Sequence, residues 1–276
     1  MSAKLMLISK IDTMSEKRTS FQGDSYQPQE EIYFDDGREI ELLHFIYSHS
    51  LLDEMRGNPQ RVLDAIDEYG RSRKYLMNIG QYKSKTITDL IKKEQPKMMV
   101  ELGGYVGYSA IAFGAALRDA GGKRYYSLEM NPEFAAVISM LVELAGLSEI
   151  VKVIVGPSSR SLERLSNEGA LKHIDMLFLD HFKPAYTTDL KLCEELGLVS
   201  AGSIYVADNV VKPGNPPYLE YVRSSVEEKR RKHSNANQIG SRGNPNLIYN
   251  SQFVEGWEPS GVPDAIEITR CTGIQA

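Results

Sequence analysis

The stretch MMVELGGYVGYS, residues 98–109, determines the fold class. It begins as a short apolar run, passes through Glu101 into a turn containing Gly103 and Gly107, and continues as the helical pattern of residues 108–117. A short, continuous apolar run is typical of a strand that is buried on both faces, and glycine allows a sharp turn into the next helix. We therefore predict a strand, a tight turn and a helix, which together begin a parallel α/β unit.

The same alternation continues towards the C-terminus. We predict strands at residues 98–100, 125–128, 151–155, 174–179 and 203–207. Helices are predicted between them, and one of these begins at Pro132, a position where proline is well tolerated. Parallel strands joined by right-handed crossovers form a doubly wound sheet, and its ligands bind beyond the carboxyl ends of the strands.

The residues before this sheet divide into an arm and a helical segment. Residues 1–35 are rich in Ser, Gln, Glu, Asp and Lys and show no sustained period, which predicts a flexible N-terminal arm. Apolar spacing between residues 37 and 69 predicts two helices, separated at Asn58 and Pro59. The predicted organisation is therefore an arm, 1–35, and one domain, 36–276.

Composition narrows the class of protein. The net charge of -5 argues against a nucleic-acid partner, because nucleic-acid-binding domains are usually basic. The two cysteines, Cys193 and Cys271, are too few for a disulfide scaffold and fit a reducing compartment. No apolar run approaches the roughly 20 residues that span a bilayer. We expect a cytoplasmic protein that is monomeric and has no membrane anchor.

The first turn and the end of the second strand suggest a nucleoside pocket. The spacing around Gly103 and Gly107 differs from G-x-G-x-x-G, which disfavours a dinucleotide. Glu129 ends the second strand, where an acid can accept hydrogen bonds from both hydroxyls of a ribose. The alternatives are a plain tight turn at the glycines and a helix-capping charge at Glu129.

Polar side chains also follow the fourth and fifth predicted strands. Asp180 follows the fourth strand, and Asp208 and Asn209 follow the fifth. Two carboxylates and an amide oxygen form an oxygen-only cluster that suits Mg²⁺. Either aspartate alone would more simply cap the next helix or turn, but the set favours a metal site.

Two further residues of the fourth turn are candidates for the site. Lys183 lies three residues after Asp180 and can point into the same cleft, where a lysine close to a cation can serve as a general base. A solvated surface charge is the alternative for this lysine. His181 is interpreted as pocket wall rather than as a base.

These segments resemble the catechol O-methyltransferase family over about residues 38–270. The similarity lies in a series of motifs that occur in the same order along the chain. They are VLDAID at 62–67, MNIG at 77–80, VELG at 100–103, GYSA at 107–110, EMNP at 129–132, FLDH at 178–181, ADNV at 207–210 and PG at 213–214.

The resemblance implies S-adenosylmethionine as methyl donor, Mg²⁺ as cofactor and a vicinal diol such as a catechol as acceptor. By position, Asp180, Asp208 and Asn209 correspond to metal ligands, Lys183 to the general base and Glu258 to a carboxylate that orients the acceptor. The implied donor contacts are Ile79, Glu101, Gly103, Tyr105, Ser109, Glu129, Met130, Ser158, Asp180 and His181. The implied acceptor contacts are Met77, Tyr75, Phe182, Lys183, Asn209, Pro213 and Glu258.

Pattern and resemblance together predict a single Rossmann-like, doubly wound α/β fold. Its sheet is mostly parallel and seven-stranded, with helices on both faces and extra helices at the N-terminus. Phe182 and Tyr75 replace tryptophans of the vertebrate enzyme, so the size of the acceptor stays open. An O-methyltransferase for another vicinal diol or polyphenol is the first alternative. An NAD-dependent dehydrogenase and a non-catalytic cofactor-binding protein are the others.

Overall fold

A seven-stranded sheet forms the centre of the protein in the computed structural model, which describes residues 21, 23–234 and 240–276. The strand order is β3-β2-β1-β4-β5-β7-β6. Strands β1 to β5 are parallel, and β7 and β6 join the sheet antiparallel. The strands are β1 Met98–Leu102, β2 Arg124–Glu129, β3 Val151–Val155, β4 Met176–Leu179, β5 Ile204–Ala207, β6 Leu247–Trp257 and β7 Pro263–Ile274. This architecture confirms the predicted fold class.

Helices cover both faces of the sheet and precede it at the N-terminal side. Where two N-terminal helices were predicted, the structure has three, because residues 48–51 separate α1 from a single short turn, α2. The helices are α1 Arg38–Tyr47, α2 Leu52–Met55, α3 Pro59–Ser72, α4 Gly80–Glu94, α5 Tyr108–Asp119, α6 Pro132–Leu144, α7 Ser158–Asn167, α8 Tyr186–Glu195, α9 Pro216–Arg223 and α10 Val226–His233.

The central strands are buried on both faces, as their continuous apolar sequences indicate. In β4, Met176 and Phe178 pack into one hydrophobic cluster, and Leu177 and Leu179 pack into the other. Strand β5 alternates in the same way. Each face of the central strands therefore packs against its own hydrophobic cluster.

The register aligns four strand ends in one row. Leu102 of β1 pairs with Leu128 of β2 and Leu179 of β4, and Leu179 pairs with Ala207 of β5. The residues that follow in each strand are Gly103, Glu129, Asp180 and Asp208. Parallel pairing therefore places these four residues side by side at the carboxyl edge of the sheet.

The described part of the predicted arm packs against the domain. We call residues 23–35 the N-terminal strap. Tyr26 is 6% exposed, its backbone N–H donates to Pro259 O at 2.9 Å, and its hydroxyl donates to Asp67. Residues 1–20 and 22 lie outside the described residues, so the boundary at residue 35 stays a prediction.

The polar segment 229–250 contributes to two elements. Its first residues complete α10, and its last residues begin β6 at the edge of the sheet. Residues 235–239 lie outside the described part of the chain. None of the helices in that part has the length and apolar composition to cross a membrane. The expected cytoplasmic location and monomeric state stay predictions.

Candidate active site

The turn after β1 passes close to the end of β4. Gly103 has φ 87°, in the left-handed region that favours glycine. A Cβ atom on Gly103 would lie 2.7 Å from the carbonyl oxygen of Asp180. Glycine is therefore required at residue 103 for two reasons. The turn has a positive φ, and the ends of β1 and β4 approach too closely for a side chain.

Glu129, at the end of β2, fixes this turn. Its Oε2 accepts hydrogen bonds from the backbone N–H groups of Gly104 and Tyr105, both at 3.0 Å. Its Oε1 accepts the N–H of Asn131, just before α6, at 2.8 Å. Glu129 thus binds the backbone before α6, as a helix-capping charge would, and also binds the backbone of the turn after β1. Since a carboxylate oxygen can accept more than one hydrogen bond, ligand hydroxyls can still bind there.

A cavity of about 550 Å³ lies above the row of strand ends. This volume is within the range of small-molecule sites. All the predicted site residues except Glu101 line it. They are Tyr75, Met77, Ile79, Gly103, Tyr105, Ser109, Glu129, Met130, Ser158, Asp180, His181, Phe182, Lys183, Asp208, Asn209, Pro213 and Glu258.

Glu101 lies beneath the cavity wall. It is fully buried in β1, where the Ser127 hydroxyl donates to its Oε2 at 2.6 Å. Burial raises the pKa of Glu101 to about 7. A Cβ atom on Gly104 would lie 3.5 Å from the same Oε2, so the carboxyl group supports the underside of the turn. Direct contact with a donor stays a prediction for this residue.

The oxygen cluster, formed by Asp180, Asp208 and Asn209, lies on the side of the cavity away from Glu129. Asp180 and Asp208 follow the paired residues Leu179 and Ala207, so the two carboxylates are neighbours. Asn209 has φ 58°, which turns the chain sharply after β5. Burial, reinforced by repulsion from Asp208, raises the pKa of Asp180 to about 6 although Lys183 acts in the opposite direction.

These residues fit a hard divalent cation. Asp208 is 2% exposed, and its Oδ1 lies 2.6 Å from the Nζ of Lys83, a buried lysine of α4. Buried carboxylates are costly unless cations balance them, and Asp208 shares this one ammonium group with Glu258 and Asp264. Oxygen-only donors and excess negative charge suit Mg²⁺ better than zinc. Asp180, Asp208 and Asn209 could therefore hold Mg²⁺.

Lys183 reaches into the same cleft. Its Nζ lies 3.0 Å from Asp180 Oδ1 and donates to the hydroxyl of Tyr186 at 2.8 Å. The side chain is 21% exposed, so it is neither freely solvated nor sealed from the cavity. This position suits a group that exchanges protons with a bound ligand.

Glu258 lies at the end of the β6–β7 hairpin and is 3% exposed. Burial raises its pKa well above the usual range for glutamate. Its Oε1 accepts hydrogen bonds from Lys83 Nζ at 2.6 Å and from Asn209 Nδ2 at 2.7 Å. A carboxylate held by two donors beside the cavity can orient a ligand hydroxyl.

Sequence reasoning missed Lys83 and Asp264, which complete this network. The Nζ of Lys83 lies 2.7 Å from Asp264 Oδ2. Although burial acts in the opposite direction, the ammonium group of Lys83 lowers the pKa of Asp264. A signal for Lys83 was present, because it occupies a position in a four-residue spacing whose other members are isoleucines, Ile79 just before α4 and Ile87 and Ile91 within it.

His181 lies in the wall of the cavity. Its ring stacks on Tyr186 with centroids 5.0 Å apart and an interplanar angle of 10°. Its Nε2 lies 2.9 Å from Asp189 Oδ2, which also accepts the Ser158 hydroxyl. The ring is thus held in place by Asp189 and by stacking, and it fixes the shape of the cavity near Ser158.

The remaining wall is partly open. Tyr75 is 4% exposed, whereas Met77 is 44% and Phe182 is 74% exposed. Met77 thus lies at the cavity and outside the hydrophobic core. Gln29 and Glu30 of the N-terminal strap also line the cavity. Sequence reasoning missed them because it treated that segment as an arm.

The chain is similar in sequence to known O-methyltransferases. A family model described as O-methyltransferase matches residues 57–234. Bovine catechol O-methyltransferase is 38% identical over 180 residues, which are 65% of this chain and 65% of that protein. The mouse catechol O-methyltransferase is 35% identical over 199 residues, 72% of this chain and 73% of that protein. The chain thus spans just under two thirds of the bovine relative's length.

A solved structure shows the same fold. The O-methyltransferase from Bacillus cereus in complex with SAH has a TM-score of 0.55, with 81% of this chain and 91% of that chain covered. Its sequence identity of 22% makes it evidence for the fold alone. The family model, in contrast, covers more than half of the chain, from the residues before α3 to the end of α10. The chain belongs to the O-methyltransferase family.

Proposed function

We propose that this chain transfers a methyl group from S-adenosylmethionine to one hydroxyl of a catechol in a Mg²⁺-dependent reaction. The observation that carries the proposal is a single cavity that contains the β1 turn, the oxygen cluster and Lys183. The names of the bovine and mouse relatives support the choice of acceptor. Membership of the O-methyltransferase family argues against a dehydrogenase and against a non-catalytic binding protein.

The donor occupies the β1 and β2 side of the cavity in this proposal. Glu129 accepts the ribose hydroxyls, and the turn at Gly103 lets the donor approach the backbone closely. Ile79 and Met130 contribute apolar wall, and Ser158 lies beside them at the start of α7. The sulfonium methyl group then points towards the ends of β4 and β5.

The acceptor occupies the β4 and β5 side. Asp180, Asp208 and Asn209 are the proposed ligands of Mg²⁺, which when bound lowers the pKa of the acceptor hydroxyl and fixes its position. Tyr75, Met77, Phe182 and Pro213 hold the flat ring. Glu258 accepts a hydrogen bond from the hydroxyl that is not methylated, and this selects which product forms.

Lys183 takes the proton of the reacting hydroxyl at Nζ. In the structure Nζ donates to Asp180 and Tyr186, so the lysine must release a proton before it can accept one. The hydroxyl oxygen then forms a bond to the methyl carbon as the carbon–sulfur bond breaks and its electron pair passes to sulfur. Since opposite charges cancel in this step, alignment of the two reactants supplies most of the acceleration.

A larger diol or polyphenol is the second candidate acceptor. Phe182 and Met77 are both substantially exposed, so the acceptor side of the cavity opens to solvent there. A substituent on the ring could extend through this opening without displacing the wall. Relative kcat/KM values for catechol and for a series of extended polyphenols separate the two candidates.

The direct test is transfer of a labelled methyl group to catechol. We expect product with Mg²⁺, none with a chelator, and recovery when Mg²⁺ is restored. Asp208→Asn should abolish the reaction because a neutral amide is a weaker ligand than a carboxylate, whereas the exposed Asp89→Asn should behave as the parent. Chelator-resistant transfer by the parent chain would rule out the metal, and failure to methylate any diol would rule out the acceptor class.

Lys183→Ala should reduce kcat by about 100-fold, since general-base catalysis typically contributes this much or more. The dissociation constant of the donor, measured by calorimetry, should stay within about twofold, because the donor lies on the opposite side of the cavity. Lys172→Ala, on an exposed loop, is the matched control. If Lys183→Ala turns over as fast as the parent, Lys183 is not the base.

Glu101→Gln tests the charge beneath the turn. Burial raises the pKa of Glu101 from 4.5 to about 7. The folded state therefore holds this proton more tightly than the unfolded state. The resulting stability is complete below pH 4.5 and is lost as the pH rises through about 7. Because glutamine stays neutral, the stability advantage of the variant should grow by about 3 kcal/mol between these limits.

Urea unfolding of the parent and of Glu101→Gln at pH values on either side of that window measures this difference. The exposed Glu163→Gln is the control and should show no such growth with pH. A stability difference that is the same at both pH values would mean that Glu101 titrates as an ordinary carboxyl group.

A further inference from the structure

Lys83 is held at the centre of three buried carboxylates. Its Nζ lies 2.6 Å from Asp208 Oδ1, 2.6 Å from Glu258 Oε1 and 2.7 Å from Asp264 Oδ2. The exposed fraction is 1% for the lysine side chain and at most 4% for the carboxylates. Lysine is almost never fully buried without such partners, so this position demands an explanation.

The carboxylates form a group that could itself hold a cation. Their ligand oxygens lie within 4.8 Å of one another. The Nζ of Lys83 already lies within hydrogen-bonding distance of each of them, so the lysine occupies the place that a metal ion would take. The metal ligands proposed above are Asp180, Asp208 and Asn209, and the two sets share Asp208.

Lys83 joins four separate parts of the chain. It lies in α4, Asp208 follows β5, Glu258 follows β6, and Asp264 is the second residue of β7. Asp264 Oδ1 also accepts the N–H groups of Val211 and Lys212, at 3.1 and 2.8 Å, which fixes the turn after Asn209. A single ammonium group therefore sets the relative positions of a proposed metal ligand and of the acceptor-orienting carboxylate.

Carboxyl groups outnumber ammonium groups at this edge of the sheet. Four carboxylates, those of Asp180, Asp208, Glu258 and Asp264, face the two ammonium groups of Lys83 and Lys183. The carboxyl groups outnumber the ammonium groups by two, so this edge of the sheet attracts a further positive charge. Without Lys83 the carboxylates of Asp208 and Glu258 would repel each other, and Glu258 would lose its charged donor.

We propose that Lys83 is a positioning residue that holds Glu258 in the orientation that selects which hydroxyl of the acceptor is methylated. It does not touch the reacting atoms and acts through Glu258. This inference rests on the proposed function, because regiochemistry is defined only for an acceptor with two hydroxyls.

The test compares Lys83→Met, Glu258→Gln and the double variant on an unsymmetrical catechol. Each single change should shift the ratio of the two methylated products by about tenfold, which corresponds to ~1.4 kcal/mol of discrimination. The double variant should give the ratio of Glu258→Gln alone, because Lys83 acts through that carboxylate. The double variant also keeps the net charge of the parent, so it remains informative if Lys83→Met alone fails to fold.

A second measurement separates positioning from general disruption. The dissociation constant for Mn²⁺, measured without donor or acceptor, should be unchanged or lower in Lys83→Met, because a positive charge near the cation has been removed. Lys85→Met, in the same helix with its side chain 75% exposed, should match the parent in both measurements.

Three outcomes would overturn the inference. They are a product ratio in Lys83→Met equal to that of the parent, shifts that multiply in the double variant, and loss of Mn²⁺ binding together with the ratio. In the last case Lys83 would merely hold the site together. If the parent forms no methylated catechol at all, the proposed function fails instead, and the two failures are thereby distinguished.

Discussion

The structure depends on the burial of like charges at the adjacent ends of β4 and β5. Asp180 and Asp208 are neighbours because Leu179 and Ala207 pair in register, and the parallel sheet leaves them no other arrangement. Repulsion between such groups is tolerated only where cations compensate it. Lys83, in α4, and Lys183, in the turn after β4, provide part of that compensation. The site that remains attracts a further positive charge.

The neighbouring turn depends on the same register. Gly103 and Glu129 occupy the same row as the two aspartates, so a ligand bound over the turn lies beside the carboxylates. Gly103 makes this possible because any side chain there would meet the backbone of Asp180. The short distance between the proposed donor and acceptor sites is thus set by the pairing of the strands, whereas the chemistry depends on the side chains.

Much of this could be predicted from sequence because it depends on local patterns. Apolar runs located the parallel strands, and the residues that follow them gave Asp180, Asp208 and Glu129. Lys83 was missed because its partners Glu258 and Asp264 lie 175 and 181 residues away, across a hairpin whose position is set by packing. Gln29 and Glu30 were missed because a polar segment shows no period even when Tyr26 anchors it.

The central claim is that Asp180, Asp208 and Asn209 bind one divalent cation. Lys83 stays paired with the adjacent carboxylates of Glu258 and Asp264 when that cation is bound. Anomalous diffraction from a crystal of the chain with Mn²⁺ and S-adenosylhomocysteine tests this directly. We expect one strong peak in contact with oxygens of Asp180, Asp208 and Asn209, with Lys83 still paired to Glu258 and Asp264. A peak among Asp208, Glu258 and Asp264 with Lys83 displaced, or no peak at this edge of the sheet, would contradict it.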